Sequence, residues 1–421
     1  MKKLLLGALL LPVCLFATNG ASDIGVGAKS KGMGGVGIAL PQDAFASAFN
    51  PAGLVRVGNR GDVGLGYIQQ TGFQRVYDIQ TGATFEAITG KNSSRSLWFP
   101  ELGLVWRYCA NQSVGFAAFV RGAQSTRFEF KAFENLGASI PSRFSGYSIF
   151  FVPSWSWGIT PCISVGLAIN GMVQTHSNNV DYSGLDSSIA PNLPNGSFLG
   201  PGRVDTAGGV SVRGGVLAAP AHWLNLGITY QTPALMSKLS SYSGQWPDGG
   251  YWDWPSEMGA GVAVCCDSLL FSIDWVYLFW SDTTTWGNSF VFAEGQTGGF
   301  QYKTGSRFGP GFGWRDQTVW KFGFSWTPCR CLTFRGGYNF GNTPQLGEEA
   351  FLNRLTFATV QHHVTVGVSW TICALELSAY YYHGFKGRVK GRGPFFVGSS
   401  DTADVVNHQN AVGISVGGCW W

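Results

Sequence analysis

Beyond its first seventeen residues the chain never strings together the roughly 20 apolar residues that a membrane-spanning helix needs. Bulky apolar side chains instead recur at every second position, in segment after segment. In the stretch 269–279, Leu269, Phe271, Ile273, Trp275, Tyr277 and Phe279 share one face, and Ser272 and Asp274 take the other. A period of two is that of a β-strand, whose successive side chains point to opposite faces. The same pattern sets Leu224, Leu226, Ile228 and Tyr230 against Asn225, Thr229 and Gln231, and Val364, Val366, Val368 and Trp370 against Thr365 and Ser369.

Segments of this kind lie near 60–70, 98–108, 113–123, 146–158, 163–175, 204–218, 223–232, 255–265, 269–281, 316–327, 332–341, 361–371, 375–385 and 408–419, fourteen in all. Most have the roughly 9 to 11 residues that a tilted strand needs to cross a bilayer. The joins between them alternate short and long. An even number of strands with short turns at one end and long loops at the other predicts a bacterial outer-membrane barrel, its short turns in the periplasm. Composition agrees: charged residues are 12% of the chain, about half the usual share of roughly 25%, and aromatic residues reach 15%. A net charge of +4 with no basic run argues against nucleic-acid binding. The expected fold class is all-β, a 14-stranded antiparallel transmembrane β-barrel. A large soluble β-sandwich would not need apolar residues on so many outward positions.

Met1-Lys2-Lys3 followed by an apolar run to Phe16 has the layout of a secretory signal peptide, assigned to residues 1–17. Residues 18–56 then carry eight glycines from Gly20 to Gly53 and none of the alternation of the later segments. A compact, glycine-loosened head on an array of strands reads as a hatch, a plug within the lumen, and residues 57–421 as the barrel. The hatch closes on a stretch holding Asp43, Phe49, Asn50, Pro51, Ala52 and Gly53. Pro51 fixes its own φ and biases Asn50 away from the helical region, so the segment leaves the plug in a set direction.

Eight cysteines remain after the signal segment, and all fall at short joins or the C-terminus: Cys109, Cys162, Cys265, Cys266, Cys329, Cys331, Cys373 and Cys419. In an oxidising periplasm such a ring is expected to form disulfides, some bridging adjacent turns and others linking the barrel to envelope proteins. No cofactor or metal site is expected, because Cys329-Arg330-Cys331 lacks a spaced partner motif. Gly32-Met33-Gly34-Gly35-Val36-Gly37 matches a dinucleotide fingerprint without the strand and βαβ unit that fingerprint requires. Gly413-Ile414-Ser415-Val416-Gly417 matches a nucleophile elbow but lies inside an alternating strand. The adjacent His362 and His363 point to opposite faces. The chain is therefore not expected to be an enzyme.

Apolar loop residues, Leu193, Phe198, Leu199, Trp246, Trp252 and Trp254, are candidates for capturing a hydrophobic ligand, with an aromatic girdle at the lipid interface as the alternative for the tryptophans. Inward-facing Arg107, Arg121, Lys321 and Arg335 could meet a carboxylate ligand or pair with Glu101, Asp274 and Glu376.

The phrase GAKSKGMGGVGIALPQDAFASAFNPAGL resembles the amino-terminal hatch of the FadL/TodX family of outer-membrane transporters of long-chain fatty acids and other hydrophobic compounds. LGITYQTPALMSKLSSYSG, LLFSIDWVYLFWSD, FGWRDQTVWKFGFSW and LTFRGGYNFGNTP are similar to later family strands in the same order. The resemblance implies a 14-stranded barrel blocked by its hatch, passive uptake of fatty acids or other hydrophobic small molecules, and sideways release through an opening at a kinked third strand. Gly115, Arg121 and Gly122 fall in that strand, and the resemblance implies that Asp43, Phe49, Asn50, Pro51, Ala52 and Gly53 anchor and gate the hatch. Gln42 departs from the family's first acidic residue, and the cysteine ring is not a family hallmark. The rival reading is a structural or adhesive outer-membrane protein cross-linked through periplasmic cysteines.

Overall fold

The computed structural model describes residues 19–84, 90–91, 96–128, 142–179, 202–290, 304–394 and 400–420. Leu193, Phe198, Leu199, Trp421 and the signal segment 1–17 lie outside them. Fourteen long strands succeed one another: β1 Arg60–Asp78, β2 Ser96–Cys109, β3 Gln112–Arg127, β4 Arg143–Gly158, β5 Ile163–Asn178, β6 Asp205–Ala221, β7 Leu224–Gln231, β8 Glu257–Cys266, β9 Leu269–Leu278, β10 Gln317–Cys329, β11 Leu332–Gly341, β12 His362–Ile372, β13 Leu375–Val389 and β14 Asp401–Cys419. Each pairs antiparallel with its neighbours in sequence. The sheet closes where β14 pairs with β1 from Arg60↔Cys419 to Asp78↔Asp401. Closure removes the edges that an open sheet could not leave unpaired in lipid.

Alternation sets the two surfaces. Outward residues such as Val63, Trp98, Trp106, Leu167, Phe271 and Ile414 stand exposed around the wall. Soluble monomers rarely expose a contiguous apolar patch beyond a few hundred Å², so this exterior is built for lipid. Inward residues are small or polar, among them Ser156, Asn170, Ser272 and Asn339, and they are buried because the lumen is filled.

The filling is the chain's own head. Residues 24–40 are buried without exception. They include one helical turn, α1 (Ala28–Lys31), and lead through turns at Ala46–Ala48 and Pro51–Gly53 into α2 (Leu54–Val57), which delivers the chain to β1. Glycines on the inner wall let this segment approach. A Cβ on Gly103 would lie 2.9 Å from the Cβ of Ala44, and one on Gly367 would lie 3.1 Å from the Cα of Gly32. Any side chain there would push the head off the wall.

Candidate functional site

Buried charges hang the head segment on the barrel. Lys31 donates to Glu101 at 2.6 Å and pairs with Asp23 at 3.0 Å. Although burial opposes its charge, these two carboxylates hold its ammonium protonated well above the ordinary lysine range. Lys29 meets Glu376 at 2.5 Å, and Glu376 also takes Arg60 at 2.8 Å. Asp274 accepts from the backbone N–H groups of Gly37 (2.7 Å) and Ile38 (2.9 Å). Asp62 accepts from Ala44 N–H at 2.9 Å. Asp43 accepts from Phe45 N–H at 3.0 Å. Its carboxyl is pushed up to about 6 by burial, with the nearby Asp62 charge adding to the effect.

Asn50 does two jobs at the segment's exit. Its Oδ1 accepts from Ala52 N–H at 3.1 Å, capping the turn that Pro51 begins, as its residue type favours. Its Nδ2 donates to Ile38 O and Val216 O, each at 3.0 Å, tying that turn to the plug and to β6. Ser156 and Ser164 donate to Ala52 O at 3.1 and 2.9 Å. Pro51, Ala52 and Gly53 are buried, and a Cβ on Gly53 would lie 2.8 Å from the Cβ of Pro41. Phe49 lies partly buried beside a small cavity that Arg121, Glu257 and Lys321 also line.

The inward cations are engaged by the protein itself. Arg121 and Arg213 both grip Glu257, the latter at 2.9 Å. Lys321 donates to the carbonyls of Ile24 (2.9 Å) and Gly35 (3.2 Å). Arg335 donates to Ser369 Oγ and lies 3.8 Å from Glu376. Arg107 is exposed at the short-turn end and donates to Val55 O. Of the expected pairings, Glu376 meets Arg335, whereas Glu101 and Asp274 serve the plug. The sequence reading did not single out Lys29, Lys31, Asp62, Arg213 or Glu257. Their one visible signal is the pair of lysines spaced two apart within the glycine-rich head.

β3 is irregular at one place. Its register with β4 shifts between Val120 and Gly122, so Arg121 is the extra residue of a bulge. The carbonyl freed there accepts from Asp23 N–H at 2.9 Å, and Ser22 bridges to Gly122. Gly115, by contrast, keeps regular pairing on both sides and receives Leu54 of α2, 3.1 Å from where its Cβ would be. On the other side of β3, the ladder with β2 runs from Cys109↔Gln112 to Glu101↔Phe119 and stops, although β2 reaches back to Ser96 and β3 continues to Arg127. Among the described residues no ladder joins Ser96–Pro100 to Val120–Gln124. Leu97, Phe99 and Val120 flank the seam in one apolar cluster with Ile24 and Ala28 of the plug.

The long-loop end is closed as well. Trp246, Trp252 and Trp254 are buried there together with Trp280, Trp286 and Trp314. Trp252 lies 5.2 Å from Trp286 and 5.9 Å from Phe144 between ring centroids, and Trp246 Nε1 donates to His176 Nε2 at 3.1 Å. These tryptophans therefore belong neither to a lipid girdle nor to an exposed groove; packing rings on one another removes the cost of leaving them in water. Between plug and wall, the cavity lined by Phe49, Arg121 and Lys321 offers about 40 Å³ to the centre of a water molecule. That holds a few waters. A hydrocarbon enters only if the plug or the cap moves.

All eight cysteines stand at the short-turn end, seven exposed and Cys265 half-buried, and all are free thiols. None of the expected bridges between adjacent turns is formed in this structure, and the two sulfurs in hydrogen-bond contact are Cys329 and Cys331 of one turn, 2.9 Å apart.

The geometry defines a closed 14-stranded barrel corked by its own N-terminal segment. No family model and no curated relative matches the sequence. Solved structures do. The chain is similar to the Pseudomonas putida toluene transporter TodX, with 16% identity, a TM-score of 0.68, and coverage of 96% of this chain and 100% of that one. It is similar to a Pseudomonas aeruginosa FadL homologue at 12% identity and TM-score 0.68, covering 97% and 100%. A third likeness is to the Ralstonia pickettii toluene transporter TbuX, at 16% identity and TM-score 0.63, covering 94% and 99%. At these identities the likeness establishes that the chain has the fold of the TodX and FadL structures.

Proposed function

We propose that the chain is a bacterial outer-membrane channel for passive uptake of hydrophobic small molecules, long-chain fatty acids or aromatic hydrocarbons, gated by its hatch and released sideways through the wall. It carries no covalent chemistry. The observation that supports this most directly is the coincidence of three features at one place: the β3 bulge, the unpaired seam between β2 and β3, and the plug residues Asp23 and Ile24 that cover both. Moving the plug uncovers an apolar seam at the depth of the lipid. Gating then reduces to a shift between two plug positions, driven by whatever the ligand gains in the second. The structural likeness to toluene transporters and a FadL homologue favours a hydrophobic solute.

The test is uptake of labelled oleate and of toluene into cells and proteoliposomes. Asn50→Ala and deletion of residues 19–49 should both change the rate relative to the intact chain. Rates for both solutes equal to those of protein-free liposomes would sink the reading. We further read the exposed thiol ring as the place where the barrel joins envelope proteins through mixed disulfides, seen as reducible high-mass bands on gels.

A further inference from the structure

The outward face of β13 changes character partway along. Leu375, Leu377, Tyr381 and Phe385 are exposed on the lipid side, and a register shift between Gly384 and Gly387 then adds one residue to the strand. The shift reverses the parity of the residues beyond it. Lys386, Arg388, Lys390 and Arg392 are consequently all exposed, immediately above the end of the apolar column. The same wall continues through β14 into β1. Arg388 lies opposite Val406, which lies opposite Phe73; Asp404 lies opposite Arg75. The Lys386 ammonium stands 5.4 Å over the Phe73 ring, which fixes it on this outer surface.

Few carboxylates answer these cations. Arg388 pairs with the buried Asp404, which also accepts from Gly391 N–H at 3.2 Å. Arg392 approaches Glu348 only to 3.9 Å. Arg75 donates to Thr84 Oγ1 at 2.7 Å. Asp78, beyond Tyr77 at the end of β1, is taken by Thr81 and Ser400. Among the described residues neither Lys386 nor Lys390 has an ion-pair partner.

We propose that this column is a docking surface for the phosphate-bearing headgroup of an outer-leaflet lipid. The inference rests on the barrel being seated in a bilayer and not on which solute it passes. The occupant is set by continuity: acyl chains against Leu377, Tyr381 and Phe385 place the headgroup of the same lipid at the level of Lys386 to Arg392. Phosphate oxygens suit both the arginine fork and the compact lysine charge. Each basic residue near an anionic surface is worth about fivefold in affinity.

The experiment uses the full barrel in neutral detergent and measures retention of diphosphorylated lipid A, its dephosphorylated form, and inorganic phosphate, by native mass spectrometry and titration. The wild type should hold the phosphorylated lipid, and K386Q/K390Q/R392Q should bind it on the order of 100-fold more weakly, with heat-modifiable migration showing an intact barrel. Should that variant fail to fold, R75Q alone should weaken binding about fivefold. Unchanged affinity in the folded variants overturns the proposal, as does equal retention of the dephosphorylated lipid or competition by inorganic phosphate at the lipid's own concentration. A barrel that transports normally yet retains no phosphorylated lipid loses this inference alone.

Discussion

The backbone N–H of Asp23 donates to the carbonyl of Arg121 at 2.9 Å, so the plug completes the hydrogen bonding of the wall at the one residue where β3 bulges. A buried carbonyl without a donor is costly. Plug and bulge therefore hold each other in place.

Gly122 lies beside this contact, and a Cβ there would stand 3.1 Å from Trp254 Cη2 and 3.3 Å from the Ala21 carbonyl carbon. Gly122→Val should lift residues 19–24 off β3 while leaving the barrel folded. Amide exchange is expected to accelerate at least tenfold in those residues and not in β9–β11, and single-channel recordings should show a leak absent from the wild type.

Lys31 is the ammonium shared by Asp23 and Glu101. Lys31→Met strands two buried carboxylates, a loss of about 3–5 kcal/mol for a broken buried pair. Exchange protection over residues 24–40 should collapse accordingly. Adding Asp23→Asn and Glu101→Gln to Lys31→Met should restore most of it, because no uncompensated charge then remains.

Asp43 gives the plug a pH dependence of definite sign. With its carboxyl at about 6 in the folded protein and near 3.8 when unfolded, the folded form binds more protons between those values. Stability from this group is present at the acid end of the window and falls as pH rises through it. Plug protection should be greater at pH 5 than at pH 7.5. Asp43→Asn, which keeps an acceptor for Phe45 N–H, should flatten that difference by about 1.4 kcal/mol.

The thiol ring tests topology. A membrane-impermeant maleimide should leave intact cells unlabelled and react after the outer membrane is permeabilised and mixed disulfides are reduced, with Cys265 slowest because it is half-buried. Labelling in intact cells would reverse the assignment of the short turns to the periplasm.

The strands were legible because lipid outside and a packed lumen inside force a strict period of two, and β9 shows it plainly with Leu269, Phe271 and Ile273 out and Ser272 and Asp274 in. The cysteines' common end was legible for the same reason, since the turn lengths set it. Arg121's bulge was not, because one extra residue leaves no mark when the Gly122 beside it carries no side chain to show the change of phase. The upper part of β13 escaped likewise: Phe385 and Lys386 are consecutive exposed residues, which in the sequence look like the end of an alternation that in fact only changes phase. The tryptophans were misplaced because composition shows that rings cluster in a loop but not that the loop folds inward. Which lysine meets which carboxylate depends on a plug path that no local pattern encodes.

The glycines that line the inner wall at positions such as 103 and 367 carry a consequence for chimeras. Where Ala44 and Gly32 lie against bare backbone, recognition between cork and bottle is written in main-chain geometry, not in exchangeable side chains. A cork grafted from a distant relative would have to reproduce that path atom by atom, so the two parts can diverge in sequence only as a matched set.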